Sequence, residues 1–217
     1  MTKNGFLTGA SLIAAVASSA ALFAWPRLPA RIPFHWNMDG VADAVGPRAM
    51  IFGFSALIVV FAALWAVLPA LSPRRYDVER FGPTWWHGGL LVVILFGSMQ
   101  MLLLWYLLGG QADPGRVLPG AVALLVVLLG NLLGKVRSNF WFGVRTPWTL
   151  ASERVWYATH RLAGKTMVAG GLAALLMLLA GLPVGWGQAA ILLGALAPAA
   201  WSLVYYKRLE REGRLGA

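Results

Sequence analysis

Six stretches of this chain contain no Asp, Glu, Lys or Arg: Phe6 to Trp25, Ile51 to Leu71, Trp86 to Leu108, Val117 to Leu133, Thr166 to Leu182 and Gln188 to Tyr206. Each is long enough for a helix to cross a hydrocarbon core, which takes roughly 17–25 residues. Lipid offers no partner to open backbone groups, so helix is the form such spans must take. The apolar residues come in unbroken runs rather than at amphipathic spacing, which excludes a large soluble bundle. Of the 217 residues, 59% are hydrophobic and 12% charged, where a soluble domain carries about a quarter charged residues. Trp25, Trp86, Trp105, Trp186, Trp201 and Tyr205 lie at or near the run ends, the depth that amphipathic rings favour.

The charges orient the spans. With the N-terminus inside, fourteen basic residues face the cytoplasm: Lys3, Arg74, Arg75, Arg80, Lys135, Arg137, Arg145, Arg154, Arg161, Lys165, Lys207, Arg208, Arg211 and Arg214. Four face outward: Arg27, Arg31, Arg48 and Arg116. Basic residues stay on the cytoplasmic face, so both termini are expected inside. The net charge of +10 is therefore topological and predicts no direct nucleic-acid contact, although a basic inner face suits anionic lipid. The expected fold is all-α, with six transmembrane helices. The first run, about 20 residues, exceeds the roughly 7–15 of a cleavable signal core, so it is expected to be retained as a span. With no cysteine, disulfides and thiolate metal sites are excluded.

Two loops carry the chemistry. The outer loop, 26–50, joins the first two spans, and the inner loop, 135–165, joins the fourth and fifth. In the outer loop Ile32, Phe34 and Trp36 alternate with Pro33 and His35, and Asn37 to Gly40 supply turn residues. This predicts an extended segment, a tight turn and a return. His35, Trp36, Asn37, Asp39, Gly40 and Asp43 form the motif of interest. His35, Asp39 and Asp43 bring an imidazole and two carboxylates into one short loop, as a metal site would, but their spacing fits neither zinc nor an EF-hand. A turn held by Asn and Asp side chains is the preferred reading, with no metal and no cofactor.

The inner loop reads KVRSNFWFGVRTPWTLASERVWYATHRLAGK. Thr146 before Pro147 predicts a helix start. From there Glu153, Trp156, Tyr157, His160 and Gly164 recur at helical spacing, which predicts an amphipathic helix. Arg137, Asn139, Arg145, Thr146, Glu153, Trp156, His160 and Arg161 are the candidate ligand or partner site. The same polar set equally describes a network that pins the helix to the bundle. Gly130-Asn-Leu-Leu-Gly-Lys135 fails as a phosphate loop, because its glycines are too close and Val136 replaces Ser or Thr. Gly130 and Gly134 are expected to permit helix packing, with Asn131 bonding across helices. The spans hold no acid or base except His87 near one end, which argues against an ion-coupled carrier. Gln100, near mid-span in the third run, is expected to make a helix–helix hydrogen bond.

Two strings carry a family resemblance: LPxRIPxHWNxxGxxD at Leu28 to Asp43, and GNLLGKVRSNFWFGVRTPWTLASERVWYATHRLAG at Gly130 to Gly164. On these the chain resembles the SdpI family of bacterial membrane proteins, including the uncharacterised N-terminal region that often accompanies it. The resemblance implies a two-span region over 1–72, a four-span SdpI-type region over 73–217, and residence in the bacterial cytoplasmic membrane. It also implies immunity to a secreted peptide toxin met outside, with signalling by a repressor protein held inside, and no catalysis. The alternatives are a membrane enzyme at the inner face using His160 and Glu153, and a small-solute or lipid transporter. The oligomeric state is left open.

Overall fold

The structure is a computed structural model and describes residues 1–37, 39–73 and 76–215. Arg74 and Arg75, counted above on the inner side, lie outside the described residues. The six long helices are α1 (Lys3–Ala24), α2 (Gly53–Val67), α3 (Gly82–Leu107), α4 (Pro114–Leu133), α6 (Glu153–Leu179) and α7 (Val184–Arg211). A single-turn helix α5 (Pro147–Ala151) precedes α6, and the strands β1 (Arg31–Trp36) and β2 (Ala42–Pro47) form an antiparallel hairpin between α1 and α2. With short flanking turns, the six apolar units run from 20 to 30 residues. At 1.5 Å per residue even the shortest spans about 30 Å, the thickness of the hydrocarbon core. Only 17–28% of each apolar window is buried inside the bundle, so most of its surface needs an apolar solvent. Phe23, Leu64, Leu179 and Leu193 are among the large side chains left exposed on that surface. This is a multi-pass membrane protein.

The helix starts follow local chemistry. The Thr2 side chain accepts from Gly5 N at the start of α1, and Asp113 accepts from Gly115 N ahead of Pro114 in α4. Such side chains satisfy backbone donors that the first turn leaves free. Helices α1, α2 and α3 pack together, α6 packs along both α4 and α7, and α3 touches α4 to join the two groups. Small residues set the second group's spacing. A Cβ at Gly170 would come 2.6 Å from the Ala190 carbonyl, and one at Gly194 would come 2.5 Å from the Thr166 carbonyl. Thr166 Oγ1 also donates to the Gly194 carbonyl at 2.6 Å. Without a hydrophobic drive between helices in lipid, close packing and such bonds hold them together.

Three buried clusters run through the molecule. Ala21, Ala24, Leu28, Ile32, Ile51, Leu103 and Leu104 seat the hairpin on the bundle. Phe6, Ala10, Ala14, Ile58, Ala62 and Val93 join α1, α2 and α3. Val78, Phe81, Trp85, Leu133, Val136, Trp156 and Ala163 close the inner end. Within the membrane, buried Gln100 accepts from Ser55 Oγ at 2.7 Å and donates to the Ala17 carbonyl at 2.9 Å. One side chain thereby ties α1 and α2 to α3.

The helix expected in the inner loop differs in form. It starts after Thr146, but Ser152 is extended (φ −140°, ψ 121°) and breaks it after one turn. The second piece then runs from Glu153 straight into the fifth span as a single helix of 27 residues. Its amphipathic part is the inner end of α6 rather than a separate surface helix.

Candidate functional site

At the outer end, the hairpin folds back over the bundle. Arg31 pairs with Pro47 and Trp36 with Ala42, with irregular register around His35. Asn37 builds the turn. Its side-chain oxygen accepts from Asp39 N and Val41 N at 2.9 and 3.0 Å, and its backbone bonds to Val41 and Gly40. Gly40 has φ +80°, the left-handed region that glycine enters at no steric cost. The tip lies against the start of α4, where a Cβ on Gly115 would collide with the Gly40 carbonyl. His35 Nδ1 lies 2.5 Å from Asp43 Oδ1, and both side chains are exposed. Asp39 does not complete a metal cluster with them. Among the described residues no three His, Cys, Asp or Glu side chains gather closely enough to hold an ion.

Beneath the hairpin is a mainly apolar cavity of about 280 Å³. Phe34, His35, Trp36 and Asn37 line it from the hairpin; Leu118, Leu178 and Ile191 line it from α4, α6 and α7; Gln188 adds a polar group. An engineered apolar cavity of about 150 Å³ holds a benzene molecule, so this one has room for two apolar side chains. Sequence reading located the hairpin wall but missed the helix wall, because its residues resemble every other apolar residue of their spans. Arg116 braces that wall by donating to the Leu178 carbonyl at 2.8 Å.

At the inner end, residues 135–152 form a compact cap. Asn139 is fully buried and makes four bonds. It donates to the carbonyls of Arg137 and Phe142, both at 2.9 Å, and accepts from the amides of Trp141 and Phe142 at 2.8 and 2.7 Å. Trp141 Nε1 donates to Ser72 Oγ at 2.7 Å, and Trp156 Nε1 to the Val136 carbonyl at 3.0 Å. Thr146 and Thr149 cap α5 reciprocally, each side chain accepting from the other's backbone N–H. Trp148 Nε1 donates to Ser202 Oγ of α7. Sequence reading missed Ser72, Thr149 and Ser202, whose only signal was a hydroxyl in an apolar setting.

His160 is buried and stacks on Trp156 with ring centroids 3.9 Å apart. The Val144 amide donates to its Nε2 at 3.0 Å, so Nε2 is unprotonated, and Nδ1–H donates to the Trp156 carbonyl at 2.9 Å. Both ring nitrogens are thus committed to holding the cap. Glu153 sits two turns away, exposed, with Arg80 at 3.9 Å. The structure therefore does not bring His160 and Glu153 together as an acid–base pair. Arg137 donates to Tyr157 Oη at 3.1 Å and Arg145 to the Phe140 carbonyl at 2.7 Å, both on the exposed surface. Arg161 is exposed.

The candidate packing residues divide. Gly130 is buried, and a Cβ there would come 3.1 Å from Val168 N of α6. A Cβ on Gly134 would meet nothing within 4 Å. Asn131 is exposed and makes no cross-helix bond among the described residues. The close approach is between Gly130 and Gly164, where a Cβ on Gly164 would come 2.9 Å from the Gly130 carbonyl.

Residues 135–206 match the SdpI/YfhL protein family, and residues 12–59 match a domain of unknown function, DUF1648. Immunity protein SdpI of Bacillus subtilis (strain 168) is 24% identical over 160 residues, which cover 74% of this chain and 75% of that protein. No solved structure matches the chain. The two matched regions contain the outer hairpin and the inner cap, the two places where polar residues concentrate. The chain is thus a multi-pass membrane protein that carries an SdpI/YfhL-family region at residues 135–206 behind a DUF1648 region.

Proposed function

We propose that this protein confers immunity to a secreted, membrane-active peptide toxin by binding rather than by catalysis, in the bacterial cytoplasmic membrane. Similarity to an immunity protein supports the class of function. The observation that carries the mechanism is the apolar cavity under the hairpin, at the end of the bundle opposite the termini. A peptide arriving from outside meets Phe34 and Trp36 first, and its apolar side chains enter between the hairpin and the outer ends of α4, α6 and α7. His35, Asn37 and Gln188 supply the few polar groups that orient a ligand in such a site.

The inner cap is the proposed output surface, where a cytoplasmic repressor protein is held. Its exposed cations, Arg137 and Arg145, stand on a frame fixed by Asn139 and His160. The test is survival of a sensitive bacterium expressing the chain, challenged with the toxin that the Bacillus subtilis immunity protein counters. Protection by the native chain, lost on filling the cavity with Leu178→Trp, is expected. Equal survival with native, cavity-filled and empty-vector cells refutes the immunity role. Arg145→Ala is expected to keep protection and lose repressor recruitment; recruitment unchanged in that variant refutes the output surface.

A further inference from the structure

A second cavity, of about 510 Å³, lies between α4 and α6 at the inner end of the bundle. Gly130, Gly134 and Gly164 form its floor, Val168, Ala169 and Leu172 extend it toward mid-membrane, and Asn131, Arg161 and Lys165 supply its polar groups. Arg161 and Lys165 are one helical turn apart on the same face, and both are exposed. Among the described residues seven other cations near the inner face have partners, whereas Lys3, Lys135 and Arg211, like Arg161 and Lys165, have none. Of these five, only Arg161 and Lys165 line the groove. Arg80, Lys207, Arg208 and Arg214 face carboxylates, and Arg137, Arg145 and Arg154 donate to oxygens of the fold. Arg161 and Lys165 make no hydrogen bond or ion pair among the described residues, and no carboxylate lines the groove.

Depth decides what fits. The charge-free run of α6 begins at Thr166, immediately after Lys165. Inward from Leu179, the outer end of α6, Arg161 is 18 residues away (179 − 161) and Lys165 is 14 (179 − 165). At 1.5 Å each these are about 27 and 21 Å, so Arg161 sits near the boundary between headgroups and hydrocarbon and Lys165 is within snorkelling reach of it. The groove is therefore cationic at phosphate depth and apolar one to two turns deeper. That gradient is the complement of an anionic glycerophospholipid of the inner leaflet. Basic pockets between helices on the cytoplasmic side bind such headgroups.

We propose that this groove is a binding site for an anionic glycerophospholipid. Its phosphate lies between Arg161 and Lys165, Asn131 donates to it, and one acyl chain runs along Val168 and Leu172 over the glycine floor. The site is separate from the outer cavity, and the proposal stands independently of the immunity reading.

Native mass spectrometry of the purified full-length chain tests it, using phosphatidylglycerol against phosphatidylcholine of the same acyl chains. The native chain is expected to retain phosphatidylglycerol preferentially. Each cation near the surface is worth about fivefold in affinity, so Arg161→Ala with Lys165→Ala should lose about twenty-five-fold. Gly134→Leu, placed where a side chain meets open space, should occlude the groove and lose binding with both cations intact. That variant also decides the matter if the double variant fails to fold. No preference for phosphatidylglycerol, native retention by the variants, or displacement by inorganic phosphate would each overturn the lipid site.

Discussion

Replacing Asn139 with alanine should open the inner cap while leaving the spans assembled. The side chain supplies four hydrogen bonds to the backbone of residues 137–142, all between 2.7 and 2.9 Å, in a fully buried position. At a net value of about 1 kcal/mol each, their loss costs about 4 kcal/mol. Every 1.4 kcal/mol is tenfold, so the open population should rise close to 10³-fold. Arg137 and Arg145 bracket the segment, so trypsin cutting after them reports the opening. When reclosing outpaces cleavage, the cutting rate follows the open population. Asn139→Asp keeps the oxygens that accept from Trp141 and Phe142 and should fall between the two. Asn131→Ala, which removes an exposed side chain, should cut at the native rate. A rise of less than about tenfold for Asn139→Ala would refute the claim that this residue holds the cap.

Three further outcomes are expected. Gly143 has φ +109°, and a Cβ there would strike His160 Nε2, so Gly143→Ala should cost at least about 2 kcal/mol. A thermal midpoint in detergent within 1 °C of native, against an expected drop of at least about 4 °C, would contradict this. Gly115→Ala should lift the hairpin tip off α4, lengthening the spin-label distance between positions 39 and 117; an unchanged distance would contradict the docking. Gln100→Leu removes two buried bonds across the α1–α3 group. In membranes each is worth about 0.6 kcal/mol, so the expected loss is near 1 kcal/mol, read by a denaturant titration, and no loss would show that Gln100 is not a tie.

The spans were legible because a run of about 20 residues without charge has few other uses in a membrane protein. The outer turn was legible too, because Asn37 and Gly40 act on backbone within four residues of themselves. The inner cap was not, although its residues were singled out. Asn139 and His160 earn their burial from partners that only the folded loop supplies, and sequence spacing does not encode those contacts. The break at Ser152 was hidden for the same reason, since the bonds anchoring its flanks reach α7 and residues 214–215. The helix wall of the outer cavity left no trace in the sequence. A leucine facing lipid and a leucine facing a cavity are the same residue, and only packing distinguishes them. Gly134 shows the converse case: a spacing suited to close helix contact, followed by open space.

Among the long helices of the second group, α4 and α7 each carry an internal proline, at Pro119 and Pro198, whereas α6 has none. Over 27 residues it is a stiff rod of about 40 Å. One end holds His160, which fastens the inner cap, and the other holds Leu178, which walls the outer cavity. The 18 residues from His160 to Leu178 (178 − 160) span about 27 Å, and a pivot of about 5° over that length carries the far end about 2.4 Å. Such a shift is comparable to the reach of a hydrogen bond, and the cap is fastened to the rod by bonds of that reach. A guest that spreads the outer wall therefore pulls at the cap's fastenings across the thickness of the bilayer, through a helix with no proline in between to break its hydrogen-bond ladder.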